Sequence, residues 1–152
     1  IINKVSSWSN LTMTRGFNTF GGSQVSCAVG TAVLDVIEEE NLQEHAQETG
    51  NWLKSELNGL KKDFPLIGDV RGEGFFLGVE LVQDPLTREP APLQAGYIVE
   101  RMKSKRILLS TEGPGHNVLK FKPPMVFGRK EGLNFLENLE SVLSETPLRQ
   151  KR

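Results

Sequence analysis

The sequence predicts an α/β (α+β) fold in which helices pack on a mixed or antiparallel sheet. Three observations predict it. Apolar residues recur at helical spacing in four stretches. Short runs rich in β-formers alternate with them. Glycine and proline punctuate the joins, giving the order helix, helix, strand, strand, helix, strand, strand, helix.

Residues 1–16 carry no clear period and read as irregular. From Val25 the pattern is regular: Val25, Ala28, Val29, Ala32, Val33, Val36 and Ile37 follow the stripe of an amphipathic helix. Ser23 is placed to cap it, and Gly21 and Gly22 let the chain turn tightly just before. Leu42, Ala46, Trp52, Leu53, Leu57 and Leu60 suggest a second helix, either separate from or continuous with the first. Gly50 should weaken it locally, and Phe64-Pro65 stops it. Leu66–Arg71 and Phe75–Val82 read as strands around a Gly72-Glu73-Gly74 turn or bulge. A loop with three prolines covers 85–92. Ala95, Ile98, Val99 and Met102 mark the third helix. Ile107–Ser110 and Val118–Lys122 are short strands flanking a polar loop at 111–117. Leu133, Leu136, Leu139, Val142 and Leu143 form the last helix, and the polar, basic tail at 146–152 is expected to fray.

With 152 residues the chain suits one domain. Lys and Arg total 18 and Asp and Glu 19, a balance that argues against a nucleic-acid or membrane-surface protein. No apolar run approaches the length of a membrane-spanning helix. The single cysteine, Cys27, excludes an internal disulfide and fits a reducing, intracellular setting, cytoplasmic or mitochondrial. It lies in the first helix beside Ala28 and reads as a small core residue, not a nucleophile. Of the two histidines, His45 reads as a surface residue of a Gln/Glu-rich helix and His116 as part of a Gly-rich loop, and neither has a metal-ligand spacing. Gly72-x-Gly74 enters a strand instead of a helix, so it fails as a dinucleotide fingerprint. The chain opens on Ile and reads as a processed product or a fragment of a longer protein.

The most informative stretch is Phe17-Asn-Thr19-Phe-Gly21-Gly22-Ser-Gln. It resembles the Thr-(Phe/Tyr)-Gly-Gly-Asn-Pro segment of the class III pyridoxal-phosphate aminotransferases of fold type I. Three further blocks carry the resemblance from residue 17 to about 145. Ile67–Leu81 is similar to the family's Val-Arg-Gly-x-Gly block. Leu109-Ser110-Thr111-Glu112-Gly113-Pro114 and Asn117-Val118-Leu119-Lys120-Phe121-Lys122-Pro123-Pro124-Met125 look like the phospho-lyase branch. That branch holds the ethanolamine-phosphate and 5-phosphohydroxy-L-lysine phospho-lyases, also named alanine–glyoxylate aminotransferase 2-like proteins.

The resemblance implies a division into an unrelated N-terminal segment (1–16), an interdomain segment with a long helix (17–40), the small C-terminal domain (41–145) and the tail (146–152). It implies pyridoxal 5′-phosphate as cofactor in a parent homodimer or homotetramer, with Thr19 reaching the cofactor phosphate of the neighbouring subunit and Gly21 and Gly22 beside it. The implied substrate is a small phosphorylated amine or amino acid, from which phosphate and ammonia are eliminated to leave an aldehyde. Lys120 stands where many class III aminotransferases use Arg to grip a substrate carboxylate. Arg gives a bidentate fork and Lys a single point charge, a change that suits a substrate held differently. Ser110, Thr111 and Asn117 are further candidates for the substrate pocket, or else ordinary loop polar groups. Arg71 reads as structural, paired with Asp69 or Glu73. No catalytic or metal-binding residue is expected, because the family's Schiff-base lysine and pyridinium partner lie N-terminal to the Thr-Gly-Gly segment. An omega-aminotransferase fragment, or a non-catalytic product that docks on a full-length subunit, is the alternative.

Overall fold

The computed structural model describes residues 19, 21–145 and 148. The expected irregular segment at 1–16 lies outside them, as does most of the tail. Leu148, the tail's one described residue, is buried and joins the core. The chain divides into two compact units, Ile1–Val36 and Ile37–Arg152, which are taken separately.

In the first unit, a turn at Thr19, Gly21 and Gly22 leads into α1, Gln24–Glu39, whose last residues belong to the second unit. Gly22 sits at φ +78, where a side chain is strained, so the tight turn needs its glycine. Ser23 serves α1 through its backbone carbonyl, which accepts from the Cys27 N–H at 2.9 Å. The apolar stripe is uncovered: Val25, Val29 and Val33 are exposed. Cys27 is exposed too, which corrects the core reading.

The second unit is a two-layer arrangement, with three helices on one face of a four-stranded sheet. Asn41, at φ 50, adopts the left-handed conformation that Asn tolerates and ends any continuity with α1. The helix α2, Leu42–Leu60, follows. Gly50 lies in its middle, yet a Cβ there would collide with the Gly74 backbone, so close packing uses the residue that propensity penalises. The strands β1 (Ile67–Glu73) and β2 (Phe76–Leu81) form a hairpin. Next come α3 (Pro92–Ser104), β3 (Ser110–Glu112), β4 (Val118–Phe121) and α4 (Arg129–Leu143). Pro92 opens α3 at a position where its missing N–H costs nothing. The order across the sheet is β1-β2-β4-β3, with every pairing antiparallel.

The third strand starts later than Ile107. The Ile107 N–H instead closes the end of α3 onto the Met102 carbonyl at 3.0 Å, with Arg106 at φ 65 making the turn. Alternation is clean along β2 and β4, and in β1 a register shift between Ile67 and Asp69 interrupts it. Val70, Leu77, Val79, Leu81, Leu119 and Phe121 are buried under the helices, against Leu53, Leu57, Ile98, Met102, Phe135 and Leu139. Arg71, Phe76, Gly78, Lys120, Ser110 and Glu112 alternate with these and occupy the other face. No helix among the described residues is long and apolar enough to cross a membrane.

Candidate functional site

The helix-free face of the sheet carries the site. Its register aligns Arg71 with Gly78, Gly78 with Lys120, and Lys120 with Ser110. Four strands thus contribute one row in the order Arg71, Gly78, Lys120, Ser110. Neighbouring strands are about 4.8 Å apart, so the two cations start roughly 10 Å apart at the backbone. Gly78 between them has no side chain, and the row sinks there. The resulting groove, of about 290 Å³, is lined by Arg71, Gly78, Lys120 and Glu112, with Phe76 and Val118 as apolar walls. A Cβ on Gly78 would project toward Val118 Cγ1 at 3.0 Å, narrowing the groove at its floor.

Carboxylates hold both cations. Lys120 Nζ donates to Glu112 Oε1, and the ammonium keeps the Glu112 carboxyl below its ordinary range. Arg71 Nη1 donates to Glu80 and to Asp69, the latter at 3.1 Å. The Asp69 partner agrees with the sequence reading. The second partner is Glu80 and not Glu73, because the β1–β2 register sets Glu80 opposite Asp69. These bonds, Glu80 first, raise the guanidinium further above its already high value. Phe76 is largely exposed, and its ring lies 5.7 Å from Lys122 Nζ, a cation–π distance.

Of the four residues expected at a substrate pocket, Lys120 lines this groove, and Ser110 is its register partner in β3. Thr111 alternates to the opposite face, across from buried Leu119. Asn117 is buried, and its side-chain nitrogen donates to the Leu81 carbonyl at 2.7 Å while its own carbonyl accepts from the Leu81 N–H at 2.8 Å. Its side chain therefore fastens the β4 entry to the end of β2. Thr111 and Asn117, read at first as residues of one polar loop, are a strand residue and a buried bracket. Glu112, which sequence reasoning missed, was hidden because its partner is set by register alone.

His45 is half-buried, not a surface residue. Its Nε2 lies 2.8 Å from the Phe127 carbonyl, and its ring meets Phe75 edge-on at 5.8 Å. Among the described residues no group of His, Cys, Asp and Glu is placed to hold a metal ion.

In the first unit, Thr19 and Gly21 are exposed in the turn ahead of α1, and the space beside Gly22 is open. An exposed hydroxyl, open backbone and the N-terminal end of a helix suit one phosphate group. The turn thus fits the phosphate end of a cofactor such as pyridoxal phosphate.

An antiparallel α+β domain behind a Thr-Gly-Gly turn defines a small domain of the fold type I kind. The chain belongs to the class III aminotransferase family: the family model, Aminotransferase class-III, matches residues 4–143. The alanine–glyoxylate aminotransferase 2-like protein of Drosophila melanogaster is 50% identical over 134 residues, covering 85% of this chain and 27% of that protein. A phospholyase from Arthrobacter, solved in complex with phosphoethanolamine, superposes with a TM-score of 0.82 at 37% identity, covering 87% of this chain and 31% of its own. An amine transaminase from an uncultivated Pseudomonas species, in its pyridoxal-phosphate-bound form, superposes with a TM-score of 0.76 at 30% identity, covering 86% and 29%. The chain therefore spans less than a third of each of these proteins. Family membership and the cofactor-bound neighbour indicate pyridoxal 5′-phosphate as the cofactor.

Proposed function

We propose that this chain is the C-terminal small-domain part of a pyridoxal-phosphate-dependent phospho-lyase. Its substrate is a phosphorylated amine or amino acid, which loses phosphate and ammonia to leave an aldehyde. The observation that carries this reading is Lys120, a single point charge in the Gly78-floored groove, where a carboxylate-gripping Arg stands in many aminotransferases of the family. The likeness to a phospholyase bound to phosphoethanolamine supports it.

When bound, the cofactor supplies the electron sink for chemistry at the substrate carbon. This chain's residues bind and orient. Thr19 donates its hydroxyl to the cofactor phosphate of the neighbouring subunit, with the Gly21 and Gly22 backbone giving close approach. Lys120 attracts the anionic end of the substrate, and Ser110 beside it offers a second donor. Phe76 and Val118 form the apolar walls that limit water in the groove.

The test uses the protein that carries this sequence, purified from its source and supplied with phosphoethanolamine. Release of inorganic phosphate and ammonia in equal amounts is the expected result. Amino transfer to an oxo acid with no phosphate release would replace the phospho-lyase with a transaminase, as the likeness to the amine transaminase allows. A second reading, docking onto a full-length subunit of the same family without activity, is favoured by the uncovered Val25, Val29 and Val33 of α1.

A further inference from the structure

A second cavity, of about 370 Å³, lies between the turn after α3, the segment after β4, and α4. It shares no lining residue with the Gly78-floored groove. Its floor is aromatic. Phe121 and Phe135 meet at 4.6 Å and Phe121 and Phe127 at 5.4 Å between ring centroids. Leu108 stands at its edge with 82% of its surface exposed, an apolar side chain with nothing over it.

The polar groups of the lining are unevenly spent. The Arg106 guanidinium makes no hydrogen bond or ion pair among the described residues. Its backbone is held at φ 65, with the N–H on the Lys103 carbonyl at 2.9 Å. Asn134 Oδ1 accepts from Asn138 at 3.1 Å, while its Nδ2 donates to nothing among the described residues. Glu131 is engaged, accepting from the Gly128 N–H at 3.2 Å to cap α4. The unspent groups are donors: Arg106 brings a cation, whereas Lys122, also in the lining, carries its ammonium 5.7 Å from the ring of Phe76, which belongs to the other groove.

We propose that this cavity binds a small organic monoanion, a carboxylate carrying a flat apolar body. The carboxylate accepts from Arg106, whose planar fork matches it, and from the Asn134 amide. The apolar body lies on the phenylalanine floor under Leu108. Glu131 in the same lining selects against a dianion, so a carboxylate is favoured over a phosphate ester.

The test is an amide-shift titration of the ¹⁵N-labelled 152-residue chain with 3-phenylpropanoate, phenethylamine and inorganic phosphate. Expected are saturating shifts with 3-phenylpropanoate alone, centred on Ile107, Leu108, Phe127 and Asn134. The dissociation constant should be on the order of 1 mM, as befits so small a ligand. Arg106→Gln should weaken binding about tenfold, and Arg106→Lys should restore part of the loss. Arg106 is exposed, so an otherwise unchanged spectrum verifies the fold of each variant. Leu108→Ser should weaken binding without altering the preference for an anion. Equal binding of phenethylamine, saturation by inorganic phosphate at this cavity, an unchanged affinity in Arg106→Gln, or shifts centred on Lys120 would each overturn the proposal.

Discussion

Glu112 faces Val118 in the β3–β4 register, yet its carboxylate crosses diagonally to the Lys120 ammonium. Each group holds the other, and both remain partly exposed to solvent. The pair positions one of the groove's two cations and leaves the Lys120 ammonium two further N–H donors.

The first expectation concerns acid. The Lys120 hydrogen bond lowers the Glu112 pKa. A depressed carboxylate contributes stability above its unfolded value and loses it as pH falls through the folded value. Carbon-detected titration of Glu112 should therefore show an inflection below that of an ordinary Glu. Lys120→Gln should move it back up, and high salt should narrow the difference. An inflection unmoved by Lys120→Gln would remove the pair as its cause.

A sharper case joins α3 to the end of α4. Arg101 donates to both oxygens of Glu145, at distances from 2.7 to 3.0 Å, and the Tyr97 hydroxyl donates to the same carboxylate. Arg101 first and Tyr97 second hold the Glu145 pKa at about 2. This contribution is present at neutral pH and fades as pH drops from the usual Glu range toward 2. The same bond raises the Tyr97 phenol. Tyr97 is the chain's only tyrosine, so an ultraviolet titration reads it alone. Glu145→Gln should lower that titration toward the ordinary value of about 10.

Gly50 and Gly59 give a pair of opposite substitutions. Gly50→Ala places a methyl against the Gly74 backbone and should destabilise the fold by about 1–3 kcal/mol. Gly59 lies in the same helix with open space beside it, and Gly59→Ala should stabilise by about 0.5–1 kcal/mol. Urea unfolding of the two variants checks both signs.

Asn117→Ala should cost about 0.5–1.5 kcal/mol, because the Leu81 carbonyl loses its side-chain donor and keeps only the Ala91 N–H at 3.2 Å. The loss should appear in urea unfolding. A change in phosphate affinity with stability unaltered would instead return Asn117 to the groove.

Much of this fold was legible because its helices are strongly periodic and its strands are bounded by Gly and Pro. The errors have physical causes. Ile107-Leu108-Leu109 reads as strand by composition, but the left-handed Arg106 commits Ile107 to the end of α3 and leaves Leu108 exposed. Gly50 reads as a weakness because propensity ignores what packs opposite. His45 reads as surface because its partner, the Phe127 carbonyl, lies far along the chain. Lys120 was visible through its departure from a family pattern. The row from Arg71 to Ser110 was not visible, because a row across four strands exists only once register is known.

The strand order has a kinetic consequence. β1 with β2, and β3 with β4, are each joined by short connections, so either hairpin can form from local contacts. The central seam is different: Leu77 must find Phe121 across α3 and both of its flanking loops. Closing that loop is entropically costly before its contacts reward it, so the seam should govern the folding rate. The groove floor at Gly78 and Lys120 lies on this seam. A folding intermediate holding both hairpins would therefore have its secondary structure in place but no groove.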